Sequence, residues 1–170
     1  MRMRTNYPRR LAGFDYVGFY RYSLTFCVDG RRQAFVEEDA AALVWTQFLR
    51  TAIKKSFAII ASCFMPDHVH IVLEGQREDA DMKRFVTVAK QTSGHHYRVV
   101  YANRLWQRYS YDRVLRSNES TRQVVAYVLE NPVRAGLVAS VEDYPHIRSS
   151  LYERRELMEF AYGEKTNRSG

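Results

Sequence analysis

Residues 57–74 read FAIIASCFMPDHVHIVLE, two apolar runs joined by Met65-Pro66-Asp67. The two runs are predicted as neighbouring antiparallel strands around the short Pro66-Asp67 connection. The second run opens with His68-Val69-His70. Successive strand residues point to opposite faces, so the two histidines project side by side while Val69 and Ile71 point the other way. Two neutral imidazoles held like that can grip one divalent metal. Two ligands do not complete a site, so a third ligand and a reactive group must come from elsewhere in the chain.

Working outward, Tyr20, Tyr22, Leu24 and Phe26 alternate with Arg21, Ser23, Thr25 and Cys27, which places a first strand within Tyr16 to Val28, ended by Asp29-Gly30. Glu37 to Lys55 reads as a helix, with acids in its first turn and Lys54 and Lys55 in its last, matching the helix dipole. Ala41, Val44, Trp45, Phe48, Leu49, Ala52 and Ile53 give it one apolar stripe. Gly75 to Asp81 is a polar loop. Met82 to about Val100 is a second helix facing the core through Met82, Phe85, Val86 and Ala89. Arg113 to Arg116 is predicted as a fourth strand. Ser117-Asn118 is expected to cap a third helix that runs to about Glu130 and ends at Pro132. Strand-helix-strand repeated twice is the ferredoxin-like split βαβ pattern. The predicted class is therefore α+β: an antiparallel sheet with helices on one face plus a C-terminal catalytic helix. The histidine pair falls on the third, central strand, a rigid place for a metal site. Residues 1–150 read as one domain that opens with a basic arm, residues 1–13. Residues 151–170 are charged and lack a clear apolar stripe, so a partly disordered tail is expected.

The formal net charge is +7 over 170 residues, and the 12 tyrosines accompany many arginines. That balance points first to nucleic acid, because aromatic faces stack on unpaired bases while guanidinium groups hold phosphates, and second to an anionic membrane surface. Cys27 and Cys63 lie in apolar strand-like runs and read as buried thiols in a reducing cytoplasm. No CxxC spacing suggests zinc. Every apolar run is interrupted by Arg, Asp or Glu before it reaches the length of a membrane span, and no apolar segment of signal-peptide type follows the basic start. A cytoplasmic protein with no membrane partner is expected.

Tyr127 and Asn131 lie four residues apart at the end of the third helix, one turn apart on one face. An asparagine carbonyl oxygen is a plausible third ligand for Mg²⁺ or Mn²⁺, and a phenol one turn away can reach a phosphate bound to that metal. His95 and His96 are adjacent on a helix and face different ways, so they read as surface or phosphate-contacting residues.

MPDHVHIVLE, LWQRYSYDRVLR and YVLENPVRAGLV, in this order and spacing, resemble the single-tyrosine HUH transposases, and within them the REP-associated tyrosine transposases. The likeness runs from about Tyr20 to Ser150. It implies that His68-Val69-His70 is the His-hydrophobic-His metal pair, that Tyr127 is the nucleophile, and that Asn131 is the third metal ligand, a place filled by Gln in other branches. It further implies cleavage of single-stranded DNA, often beside a hairpin, through a 5′-phosphotyrosine linkage that allows rejoining. Tyr109, Tyr111 and Trp106 are candidates to stack bases, with a core role favoured for Trp106. Lys90, Arg108, Arg113 and Arg116, with Arg4, Arg9 and Arg10 of the arm, are candidates to hold DNA phosphates. Both a monomer and a homodimer are compatible with the resemblance. Two other readings compete. A histidine-triad hydrolase needs a third histidine where Val72 stands. A host-adopted hairpin-binding module would keep the fold and lose the chemistry.

Overall fold

In the computed structural model, which describes residues 10–116 and 120–163, five strands form one sheet. They are β1 (Arg21–Cys27), β2 (Phe57–Met65), β3 (His68–Gly75), β4 (Tyr111–Val114) and β5 (Ile147–Arg148). Their order is β4-β1-β3-β2-β5, and every pairing is antiparallel. Between them run α1 (Glu38–Lys55) and α2 (Met82–Tyr101); α3 (Thr121–Leu129), a single turn α4 (Asn131–Arg134) and α5 (Arg154–Tyr162) complete the helices. This is the α+β split βαβ pattern expected from the sequence, with β3 between β1 and β2 at the centre.

Alternation along the strands decides which helix lies on which face. Tyr22, Leu24 and Phe26 of β1 and Val69, Ile71 and Leu73 of β3 join the core beneath α1 and α2. On the opposite face Val72, Cys63 and Met65 pack with Val125, Val128 and Leu129 of α3 and Leu157 and Ala161 of α5. All nine residues of β2 are buried because both of its faces are covered. A strict two-residue period would put Ala61, Cys63 and Met65 on the same face as Ile59. The β2–β3 register breaks between Ile59 and Ala61, and this bulge reverses the alternation, so Phe64 joins the α1/α2 core and Cys63 the other.

Four sequence expectations are corrected. The fourth strand is Tyr111–Val114 rather than 113–116. The cap of α3 is Ser120, whose side chain accepts from the Gln123 N–H at 3.4 Å; the expected cap, Ser117-Asn118, lies outside the described residues. The helical backbone does not stop at Pro132, because the proline occupies the first turn of α4, where its missing N–H is not needed. The charged segment after residue 150 does carry an apolar stripe: α5 buries Leu157 and Ala161, one turn apart, against α3. That stripe is too narrow to stand out among charges. One of those charges is structural, since the Arg154 guanidinium donates to the carbonyls of Val141, Glu142 and Tyr144. The expectations for Arg4 and Arg9 of the arm and for the last residues fall on 1–9 and 164–170, outside the described residues.

Trp106 is core, as favoured: it is buried, and its Nε1 donates to Ser93 Oγ at 2.9 Å. Cys27 and Cys63 are free and buried. Among the described residues no helix is long and apolar enough to cross a membrane.

Candidate functional site

The face of β3 turned toward α3 carries the histidines, both of them half-buried. Their Nε2 atoms stand 3.0 Å apart and their rings are perpendicular, with centroids 4.7 Å apart. Each ring is held by its other nitrogen. His68 Nδ1 lies 2.6 Å from Asp67 Oδ1, and His70 Nδ1 lies 2.9 Å from the hydroxyl of Thr25, its cross-strand partner on β1. Asp67 is in turn paired with Arg31, Nε to Oδ2 at 2.9 Å. Burial, reinforced by His68 and by the Arg134 and Arg31 charges, pulls His70 down to about 3, so this imidazole stays neutral and keeps a lone pair for a cation.

Packing of α3 across β2 and β3 brings the tyrosine helix over this face. His70, Tyr127 and Asn131 line one pocket of about 440 Å³, together with Ser23, Thr25, Arg113 and Gln123. His68 is not among its lining residues and joins the site through His70. The Asn131 orientation follows from Pro132. A proline cannot donate to the Val128 carbonyl, and the Asn131 side-chain amide does so instead at 2.9 Å. With its nitrogen committed there, the oxygen of Asn131 is the atom left to face a cation.

Tyr127 is 64% exposed, so its hydroxyl is open to a large substrate. Arg134 covers one face of the ring at 3.9 Å from guanidinium carbon to ring centre, and it also donates to the Tyr127 carbonyl at 2.7 Å. Glu130 lies 3.6 Å from the same guanidinium.

The donor set suits a divalent cation. Two converging imidazole nitrogens and one amide oxygen are ligands that Mn²⁺ or Mg²⁺ accepts, with water and a phosphate oxygen to complete the sphere. Among the described residues no group of three or more His, Cys, Asp or Glu is placed to hold a metal ion.

The DNA-contact candidates divide between two faces. Tyr111 pairs with Thr25 and Arg113 with Ser23, so both project on the histidine face. Arg10, Lys90, Arg108 and Tyr109 instead line a pocket between α2 and the start of β4. There Tyr109 is 66% exposed, with the Arg108 guanidinium 5.6 Å from its ring centre. Arg10 is engaged by Asp112 at 2.9 Å. Lys90 donates to the carbonyls of Gln107 and Arg108 at 2.7 and 3.0 Å. Arg116 is exposed, and its carbonyl accepts from Arg21. His95 lines a neighbouring hollow with Arg98 and Arg104. His96 is exposed and turns back to the Thr92 carbonyl.

Sequence reasoning passed over Thr25, Arg31, Asp67 and Arg134. Asp67 adjoins the histidine pair and Arg134 is seven residues beyond Tyr127, a spacing that returns to the same helix face; both were in reach. Thr25 and Arg31 needed the strand register.

The family model described as "Transposase IS200 like" matches residues 17–131. A Haemophilus influenzae protein assigned by name to the REP-associated tyrosine transposases is 22% identical over 141 residues, covering 74% of this chain and 77% of its own length. Among solved structures, a REP-associated tyrosine transposase bound to a REP hairpin superimposes with a TM-score of 0.69 at 22% identity, over 82% of this chain and 79% of that one. A Deinococcus radiodurans protein assigned as a transposase gives 0.50 at 25% identity, over 72% and 97%. The likeness to the hairpin-bound structure is one of fold.

Proposed function

The chain belongs to the IS200-like transposase family, and on that premise we propose that it cleaves and rejoins single-stranded DNA at hairpin-flanked sites through a covalent bond to Tyr127. The observation that carries this reading is the shared pocket: Tyr127, Asn131 and His70 line one cavity, while the His68 and His70 Nε2 atoms stand 3.0 Å apart.

His68, His70 and Asn131 would hold a divalent metal, Mg²⁺ or Mn²⁺. When bound, such an ion polarises a phosphoryl oxygen and neutralises phosphate charge. The chain's own residues do the rest. Tyr127 Oη attacks the phosphorus, the bond from phosphorus to the 3′ oxygen breaks, the phenolic proton passes to solvent, and the leaving oxygen takes up a proton as a 3′-OH. The product is a 5′-phosphotyrosine, and attack by a 3′-OH on that ester reverses the step without an outside energy source. Arg134 holds the ring of Tyr127 and keeps positive charge beside it. Tyr111 and Arg113 flank the pocket on the same face, suited to the strand that enters it, and Arg10, Lys90, Arg108, Tyr109 and Arg116 provide charge and stacking for the flanking DNA.

The test is cleavage of end-labelled single-stranded hairpin DNA with Mn²⁺. Wild type is expected to leave a denaturant-resistant protein–DNA adduct that maps to Tyr127, and Tyr127→Phe to leave none while still folding and binding the hairpin. Hairpin binding without any adduct in wild type would identify a non-cleaving module instead. An adduct on a histidine would restore the histidine-triad chemistry.

A further inference from the structure

We propose that Asp67, braced by Arg31, and Thr25 are positioning residues that hold the His68 and His70 imidazoles with both Nε2 lone pairs toward one cation. The inference rests on the reading above that these histidines grip a metal, and adds which residues make them able to.

The connection between β2 and β3 is fixed from outside. The Pro66 carbonyl accepts from the Phe35 N–H at 3.0 Å and the Asp67 carbonyl from the Val28 N–H at 2.9 Å. Arg31 adopts a left-handed backbone, φ +54, unusual for a residue with a side chain. From there its Nε meets Asp67 Oδ2 and its Nη1 meets Cys27 Sγ at 2.9 Å. The second Asp67 oxygen is thereby aimed at His68 Nδ1, 2.6 Å away.

A carboxylate paired with a guanidinium only accepts hydrogen bonds. The hydrogen in the Asp67–His68 contact therefore sits on His68 Nδ1, and in the neutral ring Nε2 is bare. Without a cation, the hydrogen between the two Nε2 atoms then belongs to His70, and His70 Nδ1 accepts from the Thr25 hydroxyl. With a cation, both Nε2 atoms must be bare. His70 then carries its hydrogen on Nδ1, the one from Nε2 having been exchanged through water with no change in charge, and Thr25 becomes the acceptor. A hydroxyl serves in both states because it donates and accepts; a valine side chain does neither. Outer partners of this kind orient metal-bound histidines and set their affinity.

Two measurements on the full chain judge the proposal. Long-range ¹H–¹⁵N spectra of the metal-free protein are expected to show His68 protonated on Nδ1 and His70 on Nε2. A neutral His68 with its one proton on Nε2 would overturn the assignment whether or not metal binds. Mn²⁺ titration without DNA, followed by electron paramagnetic resonance, is expected to show roughly 10- to 100-fold weaker binding in Asp67→Asn and Thr25→Val, near-wild-type binding in Thr25→Ser, and a smaller loss in Arg31→Met. Hairpin affinity in chelator and the melting temperature are expected to stay close to wild type. Unchanged Mn²⁺ affinity in Asp67→Asn and Thr25→Val sinks the proposal and leaves the metal site standing. Absence of Mn²⁺ binding in wild type overturns the metal site, and with it the purpose assigned to these residues.

Discussion

The Arg134 guanidinium sits over Tyr127 with its central carbon 3.9 Å from the ring centre, and it does so because the helical backbone resumes beyond Pro132. Had the helix ended at the proline, residue 134 would not return to the face that carries residue 127. Arg134 is thus the direct product of the α3–α4 junction. A cation over an exposed aromatic face contributes about 0.5–1 kcal/mol. If that interaction matters most when charge develops on the phenol oxygen, Arg134→Met lowers the rate of adduct formation roughly 2- to 5-fold with hairpin binding retained. Arg134→Lys recovers little, since a lysine has no planar group to stack. Single-turnover kinetics decide it, and an equal rate in Arg134→Met rules the role out.

Lys90 gives a pH signature on the other face. Burial, with Arg104 nearby, pulls its ammonium from the ordinary 10.5 down to about 8. The folded protein therefore loses this charge as pH rises from 7 to 9, where an ordinary lysine keeps it. If the charge helps hold DNA phosphates, single-strand affinity falls across that interval, and the dependence of log affinity on log salt loses about 0.7 of its slope. Lys90→Arg, charged throughout, removes the fall. A fall of the same size in Lys90→Arg places the titrating group elsewhere.

Leu157 is 1% exposed and ties α5 to the core beneath α3. Leu157→Ala is expected to destabilise the protein by about 2–5 kcal/mol, the usual cost of a buried leucine truncation with its residual cavity. Urea unfolding measures this. A loss below about 0.5 kcal/mol, the range of ordinary surface substitutions, means that α5 does not support the helix that carries Tyr127.

Much of this molecule was legible before its structure. The alternation of Tyr22, Leu24 and Phe26, the acid-to-base polarity of α1 and the histidine pair on β3 are local patterns, and each specifies one element or one face by itself. What stayed hidden depends on contacts between distant segments. The β2 bulge leaves no mark in FAIIASCFM, because both faces of that strand are apolar and neither phase conflicts with burial. Only two side chains of α5, Leu157 and Ala161, are fully buried, and they lie in a charged segment. Pro132 read as a helix stop because the residue before a proline usually leaves the helical region; here Asn131 stays helical, and its side chain caps the carbonyl that the proline leaves without a donor. The Thr25–His70 and Arg31–Asp67 contacts are set by strand register and by the turn after β1, which no run of residues announces.

Asn131 combines two tasks, and substitutions separate them. Its amide nitrogen serves the Val128 carbonyl at 2.9 Å, and its oxygen is the proposed cation ligand. Asn131→Ala removes both: Mn²⁺ affinity falls, and loss of the side-chain hydrogen bond to the Val128 carbonyl costs about 0.5–1.5 kcal/mol of stability. Asn131→Asp keeps an oxygen for the metal but sets a carboxylate against the Val128 carbonyl, two acceptors face to face. Without metal it is expected to melt below wild type. Mn²⁺ should then raise its melting temperature by more than it raises that of wild type, because the ion neutralises the new charge. Calorimetric titration and thermal melts with and without Mn²⁺ test the pair together. If Asn131→Ala binds Mn²⁺ as wild type does, the third ligand lies elsewhere, and Gln123, in the same pocket, is the residue to replace next. If Asn131→Ala loses Mn²⁺ but melts as wild type, the ligand role stands and the Val128 hydrogen bond contributes nothing to stability.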